Sequence, residues 1–200
     1  LVTRKRAEPT DDLLSDLAKD EELSDDELAG MGFLLLIAGH ETTANMLALG
    51  TFALLEHPEQ AALLRADAGL IPNAVEELLR YLSIIHIGAR RVAAEDIDLD
   101  GRLIKAGDPV VISVAAANRD ASKFDDPGEL DVTRRTTGHL TFGHGVHQCL
   151  GQQLARIEMR IGFESLLRRY PGLRLAVKPS EVPLRTDMAI YGVHELPVTW

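Results

Sequence analysis

The segment FGHGVHQCLGQQL (Phe142–Leu154) holds the single cysteine of the 200-residue chain, Cys149, among glycines and histidines. A thiol just ahead of a helical pattern is stabilised as thiolate by unpaired backbone amides and the helix dipole. Several chemistries could use it. His139, His144, His147 and Cys149 fall within eleven residues, which gives structural zinc a superficial case, although the usual C-x-x-C pairing is absent. A cysteine nucleophile needs a base, and His147, two residues away, serves only if the loop folds sharply. An iron–sulfur cluster normally needs four cysteines and covalent haem attachment needs C-x-x-C-H; neither pattern is present. An inert buried cysteine is the plainest reading of a lone thiol. Against it, Gly143, Gly145 and Gly151 surround this one with backbone that can approach a flat ligand closely.

A second constellation is GHETT (Gly39–Thr43), which follows FLLLIA (Phe33–Ala38). FLLLIA is apolar all round, the pattern of a helix buried on every face, and is too short to span a bilayer. One reading of the polar group turns His40 and Glu41 to a solvated face while Thr42 bonds the carbonyl a turn earlier and bends the helix. The functional reading is a groove, in which Gly39 admits a ligand to the backbone and Glu41 with Thr42 passes protons to it. A zinc-protease motif fails on spacing, because it would require histidine where Ala44 stands.

The elements that must position these residues are helical in the first half. DDLLSDLAKD (Asp11–Asp20) has helical spacing, and SDDE (Ser24–Glu27) is a capping box opening a helix that runs from Asp25 to about Glu56. HPEQ (His57–Gln60) stops it and begins another with Pro58 near the first turn. IPNAVEELLRYL (Ile71–Leu82) is a further helix. Arg91–Val114 alternates apolar and polar residues around Asp100-Gly101, a hairpin signal. Gly151–Tyr170 is a second long amphipathic helix ended by Pro171-Gly172, and the last thirty residues are short β-like pieces. The expected class is mainly α with small β-sheets, organised as one unit over residues 1–200 without repeats or low-complexity linkers.

Composition bounds the partners. With 46% hydrophobic and 26% charged residues the chain fits one globular domain with a real core. The net charge of −10 excludes general nucleic-acid binding, which needs summed cationic contacts to phosphates. Residues 1–30 carry ten Asp/Glu against four Lys/Arg, so most of the acidity is a solvated leading segment. No membrane span and no secretory signal are read, and one cysteine points to a reducing, cytoplasmic compartment.

The residues carry a resemblance. Phe142, Gly145, His147, Cys149 and Gly151 match the F-x-x-G-x-[H/R]-x-C-x-G signature of cytochrome P-450, the haem-thiolate monooxygenases. In order upstream, AGHET (Ala38–Thr42) resembles the family's distal oxygen-binding helix motif, and ELLR (Glu77–Arg80) resembles its E-x-x-R. DVTR (Asp131–Arg134) is similar to the segment whose arginine completes a buried ion-pair triad. ANRD (Ala117–Asp120) and YGVHELPVTW (Tyr191–Trp200) resemble the soluble bacterial, particularly actinomycete, branch. The resemblance spans essentially the whole chain and implies the C-terminal half of that fold: long distal helix, E-x-x-R helix, β hairpins, Cys-ligand loop and proximal helix.

The resemblance implies haem b as cofactor and assigns roles. Cys149 thiolate becomes the proximal iron ligand, whose electron donation favours O–O cleavage. Phe142 packs beside the haem, Gly143, Gly145 and Gly151 keep the loop against the macrocycle, and His147 and Arg91, the latter beside Arg90, hold propionates through charge-assisted bonds. On the distal side Thr42 holds oxygen and water, Glu41 helps deliver protons, and Ala38 and Gly39 make room for the diatomic. Glu77, Arg80 and Arg134 form a structural ion network, and removing one member should collapse haem loading.

Ser83 to Ile87 and Met188 to Tyr191 fall near substrate in the family; Ile84, Ile85 and Ile190 are the candidate contacts for an apolar small molecule of the kind met in bacterial secondary metabolism. Arg156 and Arg160, one turn apart, are candidate contacts for a ferredoxin or flavodoxin that works with its reductase. Family members run about twice this length, so the expectation is a truncated chain lacking the N-terminal half. The competing reading is a non-catalytic haem-binding fragment that self-associates through surfaces left uncovered.

Overall fold

Side-chain caps open two of the first three helices. In the computed structural model, which describes residues 1–86, 88 and 90–200, α1 (Val2–Ala7) is followed by a short α2 (Leu13–Leu17), opened by Asp12, whose carboxylate accepts from the Ser15 N–H. Ser24 and Glu27 form the reciprocal capping box, with Glu27 Oε2 accepting from the Ser24 N–H at 2.9 Å. The helix that it opens, α3, runs Asp25–Glu56. Next come α4 (Pro58–Ala66), started by Pro58, a 3₁₀ turn at Ala68–Leu70, and α5 (Ile71–Leu82).

Strands β1 (Arg90–Val92), β2 (Ile97–Leu99), β3 (Arg102–Ile104) and β4 (Pro109–Val111) follow, with β1 paired to β4 and β2 to β3, both antiparallel. Asp100 (φ 51°) and Gly101 (φ 77°) both sit in the left-handed region, as a two-residue hairpin turn matching strand twist requires. A short α6 (Val114–Ala117) precedes a long irregular stretch, and then come α7 (Gln152–Arg169) and the pair β5 (Arg174–Leu175) and β6 (Val198–Thr199). The class is mainly helical with two-stranded sheets.

The chain divides into two compact units, Leu1–Thr42 and Thr43–Trp200, with α3 contributing residues to each. In the first, Leu28 is fully buried and Arg6 ties the chain together, donating to Asp25 Oδ1 (2.7 Å) and to the carbonyls of Ala18 and Leu23. The expectation that FLLLIA is buried on every face is corrected here. Phe33, Leu34, Leu36 and Ile37 are half or more exposed. An all-apolar stretch can be buried only where other elements supply surface, and the first unit offers α3 just two short helices.

The second unit holds the hydrophobic core, built from Met46, Leu49 and Phe52 of α3, Val75, Leu78 and Leu79 of α5, and Met159, Phe163 and Leu167 of α7. The glycine of α3 at position 50 admits the Phe163 ring: a Cβ there would meet Phe163 Cζ at 2.6 Å. That close approach accounts for a residue that otherwise costs a helix about 1 kcal/mol. Among the described residues no helix is long and apolar enough to cross a membrane.

Candidate functional site

Cys149 is exposed on the loop between Phe142 and α7. The loop is closed by backbone bonds: Cys149 N–H donates to Phe142 O (2.8 Å), Gly143 N–H to Leu140 O (2.8 Å) and Gln148 N–H to Gly145 O (3.0 Å). Gly143 (φ 74°) and Gly145 (φ 76°) take the left-handed conformation that these turns need. Helix α7 begins three residues after the thiol, and its N-cap, Gly151, provides no side chain to occupy the first amides. His147 ends an exposed 3₁₀ turn at Gly145–His147. Among the described residues no three His, Cys, Asp or Glu side chains gather to hold a metal ion, so the zinc reading of His139, His144, His147 and Cys149 is set aside.

Two acidic residues at adjacent positions of α5 organise the surroundings. Glu77 and Arg80 are both completely buried. Arg80 Nε and Nη2 donate to the two Glu77 oxygens (2.8 Å each), and its remaining N–H groups reach the carbonyls of Asn118, Pro127 and Glu129. Arg134 Nε donates to Glu77 Oε1 at 3.1 Å, as does the Asp131 N–H. The structure therefore gathers Glu77, Arg80 and Arg134 around one carboxylate. Asn118 extends this network toward the thiol loop. Its Oδ1 accepts from the Leu140 N–H (2.7 Å), and its Nδ2 donates to Ser83 Oγ and Thr141 Oγ1.

Glu76 faces the loop itself. It accepts from Arg156 Nε (2.7 Å) and Nη2 (3.0 Å) and pairs with His139 Nε2 (3.0 Å). Burial alone would raise the Glu76 carboxyl, but hydrogen bonds from His139 and Arg156, with the guanidinium charge, hold it down to about 2 from an ordinary 4.5. Sequence reasoning missed Glu76 and the hub role of Asn118. The signal available for the former was the doubled glutamate of EELLR; for the latter it was ANRD, read only as a mark of kinship. Beside the loop a cavity of about 650 Å³ is lined by Glu76, Arg135, His139, His144, Gln148 and Arg156 among others.

The remaining candidates are placed as follows. In the first unit, Thr42 Oγ1 donates to Ala38 O at 2.6 Å, and a Cβ on Gly39 would meet nothing within 4 Å. Glu41 is half-buried. In the second unit Arg91 is exposed on β1, with Nη1 donating to Arg90 O (2.9 Å). Ile85 forms an antiparallel bridge with Ile190, and Ile84 is buried in the core. Ile87 lies outside the described residues. Arg156 is engaged by Glu76, whereas Arg160 Nε is buried and has no hydrogen-bond partner among the described residues.

The cytochrome P450 family model matches residues 3–191. Cytochrome P450 105C1 of a Streptomyces species is 59% identical over the whole chain, which covers 53% of that relative. The vitamin D3 dihydroxylase of Streptomyces griseolus is 50% identical, with 50% of its length covered. The structure titled Streptomyces peucetius CYP105P2 complex with biphenyl compound superimposes with a TM-score of 0.96 at 51% identity, over all of this chain and 51% of that one. The chain belongs to the cytochrome P450 family, whose cofactor is haem b, and it spans about half the length of the curated relatives that it matches.

The residues present fit that cofactor. The thiol is accessible, and apolar Val146 (96% exposed) and Leu150 (85%) flank it. Added Cβ atoms at Gly145 and Gly151 would meet nothing within 4 Å, so the loop presents bare backbone beside a soft sulfur donor.

Proposed function

We propose that the chain is the C-terminal haem-binding part of a monooxygenase that hydroxylates or epoxidises an apolar small molecule, with electrons from a ferredoxin or flavodoxin and its reductase. The observation that carries this reading is the exposed Cys149 thiol, held by its own amide to Phe142 O on a glycine-turned loop ahead of an uncapped α7. Haem b, when bound, supplies the iron that activates dioxygen. Cys149 would hold that iron through its sulfur as thiolate. His147 and Arg91 hold the propionates, and Phe142, Gly143, Gly145 and Gly151 shape the loop. In the first unit, Ala38 and Gly39 provide clearance while Thr42 and Glu41 hold and move protons. Help of that kind typically contributes about 10²–10⁴-fold.

Ile85 and Ile190, joined by their bridge, are offered as substrate contacts, whereas Ile84 is spent on the core. A relative named a vitamin D3 dihydroxylase supports an apolar substrate. An acidic electron donor is proposed to meet α7 near Arg160, because Arg156 is engaged by Glu76, and an unpaired thiol supports work in the cytoplasm. A strongly red-shifted Soret band in the ferrous carbon monoxide complex is expected, and Cys149→Ser should abolish it. Haem-reconstituted chain without that band would overturn the thiolate assignment.

A second reading, a non-catalytic fragment that self-associates, is favoured by one feature. Leu150, Leu154, Ile157 and Ile161 are all exposed at spacings of four, three and four residues, a continuous apolar stripe leading into and along α7. Concentration-dependent light scattering, with turnover driven by NAD(P)H and surrogate donors, separates the two.

A further inference from the structure

The loop that carries Cys149 has little of its own to hold it. Residues 144–151 are all exposed, and the loop's internal bonds are those few backbone contacts already described. Both of its ends nevertheless meet at one carboxylate. On the entry side His139 pairs with Glu76 Oε2, and the Thr141 N–H donates to His139 Nδ1 (3.3 Å), which leaves Nε2 as the protonated nitrogen facing Glu76. On the exit side Arg156 forks onto both Glu76 oxygens. Between them lies Phe142. The Arg156 guanidinium carbon sits 4.5 Å from its ring centroid and the His139 ring 6.1 Å from it. The carbonyl of that same Phe142 accepts the Cys149 N–H.

We propose that Glu76 is a positioning residue for the thiolate: it clamps His139 and Arg156 on either side of Phe142 and so fixes the carbonyl from which Cys149 hangs. This rests on the assignment of Cys149 as the iron ligand, and it gives Arg156 a task other than meeting a redox partner. Guanidinium over an aromatic face and forked onto a carboxylate is a geometry that Lys cannot reproduce. The adjacent carboxylate, Glu77, has a different task, since its partners Arg80 and Arg134 do not touch the loop's Phe142 in any contact described above.

The test compares wild type, Glu76→Ala, Glu76→Asp and Arg156→Lys by amide hydrogen exchange at Cys149 and by the ferrous carbon monoxide spectrum of the haem-loaded chain. Loss of the clamp should speed exchange at Cys149 by roughly tenfold or more, since hydrogen exchange reports local opening. It should also move part of the population out of the thiolate band, and Glu76→Asp should restore both in part. If Glu76→Ala does not fold, Arg156→Lys carries the test, with the same direction expected. Exchange and spectrum unchanged in folded Glu76→Ala, or in Arg156→Lys where Glu76→Ala fails to fold, would overturn the proposal. Exchange at Cys149 is read without haem, so a wild-type chain lacking the thiolate band sinks the haem assignment while the clamp still stands or falls on exchange.

Discussion

Glu77 and Cys149 stand at opposite extremes of the second unit. The carboxylate is wholly buried, with two arginines and a backbone amide on it, and each N–H of its partner Arg80 has an acceptor. The thiol is exposed on a loop fastened chiefly through its ends. The difference follows from what each must withstand. A buried charge without partners costs several kcal/mol, so bonding concentrates where burial is deepest. A reactive atom must stay accessible, and its geometry is set by the scaffold beneath it. Asn118 and Glu76 connect the two extremes, one by backbone and hydroxyl hydrogen bonds and the other by charge.

The sharpest way to break this contrast is Glu77→Gln. It leaves the Arg80 charge buried with a neutral partner, and a loss of about 3–5 kcal/mol is expected, measured by denaturant unfolding, together with failure to load haem. Asn118→Ala comes next. It strips partners from Ser83, Thr141 and the Leu140 amide, for an expected cost of about 1–3 kcal/mol. Glu76 gives a pH signature. Its folded carboxyl lies at about 2, below its ordinary 4.5. Its contribution is therefore full above about 4.5 and is lost as pH falls toward 2. The stability gap between wild type and Glu76→Gln should close across that window in acid-titrated unfolding. Smallest of all, Cys149→Ser should change stability by less than about 0.5 kcal/mol in the same denaturant unfolding measurement while removing the thiolate band entirely. A large stability loss there would erase the distinction between scaffold and reactive loop.

Much of the fold was legible because its signals are local. Ser24 and Glu27 define a cap, Pro58 a helix start, and Asp100-Gly101 a turn with both residues at positive φ. The thiol loop was legible because glycine, histidine and cysteine recur there at fixed spacing. The exposure of FLLLIA was not, because apolar composition states what would be favourable to bury and not whether a neighbour exists. The plain reading of Thr42, a bond to the carbonyl four residues back, is present in the helix.

The doubled glutamate of EELLR shows where the division falls. The sequence by itself determined that α5 forms, since helical spacing and Pro72 near its start are properties of neighbours along the chain. It also determined that Cys149 would sit on a glycine-turned loop before α7. Glu76 and Glu77 are chemically identical in that reading. Successive helical residues point about 100° apart, given 3.6 per turn, and only the packing of α5 decided which carboxylate would face Arg80 and Arg134 in the core and which would reach His139 and Arg156 beside the thiol.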